Sequence, residues 1–182
     1  MPNVIMVNKL FENDETKAWI MSVTLAAGDK APPFRLPRDG GGSVALDDFG
    51  GKKLVIFFYP KADTSGCTAE ARDFTRLGKD FVKAGAAVLG VSADPVSKLD
   101  AFKAKHGLAM VLASDENHEM LEAYGVWGEK SMYGRKYLGI HRTTVLVDAS
   151  GGIVRVWFKV KVAGHAEEVL EAAKALRTGA RP

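Results

Sequence analysis

A chain of 182 residues is long enough for one domain with its own core. Its composition, 47% hydrophobic and 26% charged, is ordinary for a soluble globular protein. The formal charge is +3, and the basic residues are spread out rather than massed in a stripe, so nothing points to a nucleic-acid partner.

A single cysteine, Cys67, excludes an internal disulfide and a cysteine-rich zinc site. It points to a reducing, cytoplasmic setting in which a thiol stays free. Residues 1–20, "MPNVIMVNKLFENDETKAWI", have no long apolar core and carry Glu12, Asp14 and Glu15. That suits neither a signal peptide nor an Arg-rich transit peptide. We read residues 1–21 as an extension without assigned function and 22–182 as one domain. No run approaches the roughly 18 apolar residues of a membrane span, so no membrane partner is expected.

Residues 32–49, "PPFRLPRDGGGSVALDDF", are punctuated by Pro and Gly and predict a hairpin. "KLVIFFY" (53–59) is a short apolar run with β-branched and aromatic residues, the pattern of a buried central strand, and Pro60 stops it. Residues 66–84 predict one helix, with Phe74, Leu77 and Phe81 on its inner face and Gly85 at its end. "AAVLGVS" (86–92) is the next strand. Asp94 and Pro95 predict a helix start, with Asp94 as cap, Leu99 and Phe102 inward and Gly107 closing. A short strand follows at 110–115. Ser114 or Asp115 caps a helix carrying Met120, Leu121 and Tyr124. "TTVLVDASGGIVRVWFKV" (143–160) holds two strands around a turn, and 165–177 is the last helix. Strands alternating with helices predict an α/β fold, a mixed sheet with helices on both faces.

Cys67 lies just beyond the carboxyl end of the central strand and in the first turn of the following helix. A lone cysteine is often only a small buried hydrophobe. Active sites in open sheets, however, collect at this end. An ordinary thiol is only a few per cent thiolate at neutral pH. A helix N-terminus contributes at most about 2 kcal/mol toward the anion, so hydrogen bonds or a cation must add to it. Thr64 is one source of a hydroxyl. For the cation there are two candidates. "CTAEAR" places Arg72 after Cys67 with one residue fewer than the loop of cysteine phosphatases, and Glu70 would repel a phosphate there. On a helix, Arg72 points away from Cys67. Arg142, at the start of "RTTVLVD", is the better cation, although a surface arginine is its other reading.

"YPKADTSGC" resembles the peroxiredoxins, in particular the bacterioferritin-comigratory or Q-type group. Pro60, Thr64 and Cys67 match the signature proline, threonine and cysteine, and Glu70 matches a recurrent position three residues later. "GDKAPPFRL", "YGVWGEK", "GIHRTTVLVDASGGI" and "KVKVAGHAEEVL" extend the resemblance over about 22–178. It implies a thioredoxin-like three-layer sandwich and a peroxidase in which Cys67 attacks the peroxide O–O bond and becomes a sulfenic acid. Thr64 would then bond the sulfur and an incoming oxygen. Arg142 would stabilise the thiolate and polarise the peroxide. Pro60 would shield the pocket, and Glu70 would hold the arginine by a bidentate contact. Neither cofactor nor metal is needed.

Two positions depart from the group. Ser65 replaces a proline found in many relatives, and it is a candidate cap. Many Q-type members carry a resolving cysteine five residues beyond the first, where this chain has Arg72, or in the next helix, which has none. The resemblance therefore implies a one-cysteine cycle with an external thiol, whether thioredoxin, glutaredoxin or a small thiol, in a monomer or dimer. The other reading of the same oxidation is a redox sensor or client-binding protein switched at Cys67. His106, His118, His141 and His165 show no metal-ligand spacing. Trp127 and Tyr133 are candidates for the rim of the site or for a partner surface.

Overall fold

The computed structural model describes residues 23–177, so the proposed extension over 1–21 lies outside the described residues. A five-stranded sheet organises the chain. Its members are β3 (Lys53–Phe58), β4 (Ala86–Ser92), β5 (Val111–Ser114), β8 (Thr143–Val147) and β9 (Ile153–Trp157), in the order β5-β4-β3-β8-β9. β3 is parallel to β4, and β4 to β5. β8 is antiparallel to both β3 and β9. Two smaller ribbons complete the strands: β1 (Arg35–Pro37) with β2 (Ser43–Ala45), and β6 (Trp127–Met132) with β7 (Arg135–Ile140).

β3 is central because it has no polar face to offer water. All six of its residues are buried. Alternate side chains serve opposite layers, as a strand of period two requires. Leu54, Ile56 and Phe58 pack on α4 (Glu119–Ala123) and the β1–β2 hairpin, through Met120, Leu121, Leu36 and Val44. Val55, Phe57 and Tyr59 pack under the other helices: α1 (Ser65–Arg76), α2 (Gly78–Lys83), α3 (Val96–His106) and α5 (His165–Ala175). Phe57 stacks on Phe74 of α1, and Phe74 touches Phe81 of α2. This is the expected mixed sheet with helices on both faces. Lys53, the one charged residue of β3, donates from its ammonium to the carbonyls of Ala84 and Ala173, at 3.0 and 2.8 Å, at the ends of α2 and α5. A cation is favoured there by both helix dipoles.

Three local expectations differ from the structure. The helix expected over 66–84 is two helices, broken at Leu77, where ψ is 2°. Phe74, Leu77 and Phe81 still reach one core, so the apolar period runs through the break. Asp94 does not cap α3. Pro95 is the extended N-cap residue, with ψ 155°, and the Asp94 carboxylate is committed elsewhere. The β6–β7 hairpin was not expected. It carries Tyr133 at its turn, 98% exposed, while Trp127 at its base stacks on His118 at 3.7 Å.

Candidate active site

The site forms where the central strands end. Pro60 has no N–H to extend the ladder, and the chain leaves the sheet after Tyr59. Residues 60–64 are then tied down from the side. Ala62 N–H donates to Asp94 Oδ2 (2.7 Å), and Ser92 Oγ donates to the same oxygen (3.0 Å). Asp63, with φ 62°, meets Lys105 Nζ and His106 Nε2 of α3, both at 2.7 Å. Thr64 is the N-cap residue of α1, and its carbonyl accepts the Thr68 N–H at 2.8 Å. Cys67 is therefore in the first turn, where unpaired amides and the helix dipole favour an anion. It is 1% exposed.

Arg142 arrives from the other side of the sheet centre, immediately before β8. Its Nη2 donates to Cys67 Sγ at 3.3 Å, and its Nη1 donates to Glu70 Oε2. One guanidinium thus bridges two acidic groups of α1. Burial works against its charge, but Glu70 and Cys67 outweigh burial, and Arg142 holds its proton more tightly than a free arginine.

Glu70 is 1% exposed. Burial pushes its carboxyl up to about 7, and Arg142 only partly offsets that. The contact is not the bidentate one expected: Glu70 Oε1 is buried without a hydrogen-bond partner. Thr64 also sits differently from its expected role. Its hydroxyl donates to the Lys61 carbonyl at 2.9 Å rather than to the sulfur. Ser65 is the first residue of α1, and no side chain caps that helix. Arg72 is exposed and faces away from Cys67, as its place on a helix required.

Two neighbours of the site gave no sequence signal. Gly66 leaves room for the arginine: a Cβ there would lie 3.2 Å from Arg142 Nη2. Tyr59 reads as one more apolar core residue at the end of β3. A cavity lined by Lys30, Phe49, Lys52 and Asp148 lies at the opposite end of β8, away from this chemistry.

A three-layer sheet, with a cysteine in the first turn of α1 and an arginine on its sulfur, has the form of a thioredoxin-like thiol enzyme. Known proteins agree. The AhpC/TSA family matches residues 27–156. The peroxiredoxin Bcp of Escherichia coli is 46% identical over 146 residues, covering 80% of this chain and 94% of that protein. That of Bacillus subtilis is 42% identical over 152 residues, covering 84% and 97%. A solved structure of the bacterioferritin comigratory protein of Xanthomonas campestris, described for its alkyl peroxide reduction activity, superposes with a TM-score of 0.75 at 48% identity. It covers 78% of this chain and 90% of that one. The chain belongs to the AhpC/TSA family and is a peroxiredoxin of the Bcp or Q type, a thiol-dependent peroxidase. Its substrate is a peroxide and its reductant a thiol.

Proposed function

We propose that the protein reduces hydrogen peroxide and small organic hydroperoxides through a sulfenic acid on Cys67, which an external thiol clears. The observation that carries this reading is the Arg142 contact to the sulfur at the start of α1. The Cys67 thiolate attacks one peroxide oxygen, and an S–O bond forms as the O–O bond breaks. The sulfur loses two electrons. The departing oxygen takes the electron pair and a proton and leaves as water or an alcohol. Charge moves from sulfur to that oxygen, so a fixed cation beside both is worth most in the transition state. Arg142 is assigned that role, with Glu70 as the residue that positions it. Pro60 shields the sulfur. Thr64 bonds the sulfur and the incoming oxygen once its hydroxyl turns from Lys61. Alkyl peroxide reduction by the Xanthomonas campestris relative supports the organic substrates.

With one cysteine in the chain, the sulfenic acid has no internal thiol to meet. An external thiol attacks its sulfur, water leaves, and a second thiol frees Cys67 from the mixed disulfide. Thioredoxin, glutaredoxin and a small thiol such as glutathione all supply that chemistry, and we place the protein in the cytoplasm, where such thiols are kept reduced. The Xanthomonas campestris relative has been solved with each of two cysteines changed to serine, so it carries at least one thiol that this chain lacks. Peroxide consumption with each donor in turn tests the reading. Steady turnover with at least one donor is expected, lost in Cys67→Ser. One equivalent of peroxide without thiol should add about 16 Da, and excess peroxide should drive the sulfur on to sulfinic acid. A protein that takes up one oxygen but turns over with no donor would be a redox switch instead.

A further inference from the structure

Three buried side-chain polar atoms among the described residues have no hydrogen-bond partner: Tyr59 Oη, Glu70 Oε1 and Glu167 Oε2. Glu167 is only half-buried, and its other oxygen pairs with Arg76. The remaining two belong to the surroundings of Cys67. Buried polar groups are nearly always paired, and an unpaired one costs on the order of the desolvation of that group. Two such atoms beside one reactive sulfur call for a physical reason.

Their placement follows from the sheet. The β3–β8 register pairs Phe58 with Thr143. Continued by one residue, it sets Tyr59 opposite Arg142, and residues opposite one another in a sheet present their side chains to the same face. Tyr59 packs in the same buried cluster as Cys67, Ala71 and Phe74 of α1. Its ring is fully buried. Burial holds the phenol protonated; Ser92 opposes this, while Asp94, Cys67 and Glu70 add to it. Ser92 is close enough to act on the phenol, yet the two do not reach hydrogen-bond geometry; the Ser92 hydroxyl donates to Asp94 Oδ2, and its oxygen accepts the Asp94 N–H at 3.2 Å. The hydroxyl of Tyr59 is therefore a donor without an acceptor. In the carboxylate form, Glu70 Oε1 is an acceptor without a donor.

A sulfenic acid supplies both missing halves. Its oxygen accepts, and its O–H donates. We propose that Tyr59 and Glu70 form a receptor for the oxidised sulfur, in which the Tyr59 hydroxyl donates to the Cys67 sulfenic oxygen and the sulfenic O–H donates to Glu70 Oε1. Both atoms are unpartnered in the thiol form because they are built for the state that follows. No further oxidant is involved: the oxygen is the one that the peroxide delivers, with two electrons leaving the sulfur. Tyr59 is a positioning residue for the intermediate. This inference rests on the sulfenic acid proposed above for Cys67.

Tyr59→Phe removes one oxygen and keeps the ring. The melting temperature of wild type and variant is measured in the reduced form and after one equivalent of peroxide, with intact mass reporting the added oxygen. In the reduced form the variant should melt at or above the wild-type temperature, since an unpaired buried hydroxyl is gone. In the sulfenic form it should melt below wild type by about 2–4 °C, the shift typical of one hydrogen bond in a domain of this size. A structural role for the hydroxyl would move both forms alike. Adding Cys67→Ser to both proteins should abolish the dependence on peroxide. If the mass rises by one oxygen and the wild type–variant difference is the same in both forms, the receptor is overturned while the sulfenic acid stands. If no oxygen is taken up, both readings fall.

Discussion

The Arg142 guanidinium reaches the Cys67 sulfur at 3.3 Å across 75 residues of sequence, and its other nitrogen is held by Glu70. One planar group therefore addresses a carboxylate and a sulfur at once. Lysine keeps the charge but has no such fork. Arg142→Lys should lower the second-order rate with peroxide by at least about 100-fold, roughly 2.7 kcal/mol. Stopped-flow kinetics on the folded variant measures it, and a near wild-type rate would remove Arg142 from the chemistry.

Gly66 separates activity from stability. Alanine is favoured over glycine within a helix by up to about 1 kcal/mol, and residue 66 lies inside α1. The added methyl would press on Arg142 Nη2. Gly66→Ala should thus unfold at equal or higher urea than wild type, while its peroxide rate falls by about 10-fold. A variant that is both stable and fully active would show that the arginine gives way at no cost.

Glu70 links the site to pH. Its folded carboxyl titrates near 7, above the ordinary range of an unfolded chain, so the folded state binds more protons between about pH 4.5 and 7. Stability attributable to this group is fully present below that window and is lost as pH rises through 7. The size is on the order of 3 kcal/mol if the whole shift is realised. Glu70→Gln has no carboxyl to titrate. Urea unfolding of wild type and variant at pH 5 and pH 7.5 should show the wild type losing more stability on the alkaline side. Parallel losses would place the titration on another group.

Arg72 offers the complementary experiment on resolution. In an intact α-helix, residues five apart have Cα atoms beyond the roughly 7 Å that a disulfide spans. Arg72→Cys should therefore close a disulfide with Cys67 only as α1 unwinds. One equivalent of peroxide should be followed by loss of water in the mass spectrum, faster in mild urea. A variant that keeps its sulfenic acid under those conditions would show that α1 does not open.

The candidate cluster around Cys67 was legible because the peroxiredoxin signature it resembles is local. Pro60, Thr64, Cys67 and Glu70 fall within eleven positions, on a strand end, a turn and a helix start that composition alone marks. The α/β order was legible for the same reason, since each buried strand is a short apolar run. The β6–β7 hairpin was not: its burial pattern is mixed on both strands, with no apolar face to set a period of two. Nor was the break at Leu77, because apolar period reports which side faces the core and not whether the backbone hydrogen bonds continue. Asp94 has the sequence of a helix cap, yet its carboxylate serves Ala62, 32 residues earlier.

Local residue patterns place a thiol at the end of a buried strand, in a chain with no second cysteine to meet it. Which groups surround that thiol follows from the packing of segments far apart in the chain. Arg142 reaches the sulfur because β8 lies antiparallel beside β3, and the same register turns Tyr59 to the same face. The close approach at Gly66 and the unpartnered oxygens of Tyr59 and Glu70 exist only once those strands and α1 pack together. Contacts of this kind depend on register and burial between distant segments, and no local pattern of residue types carries them.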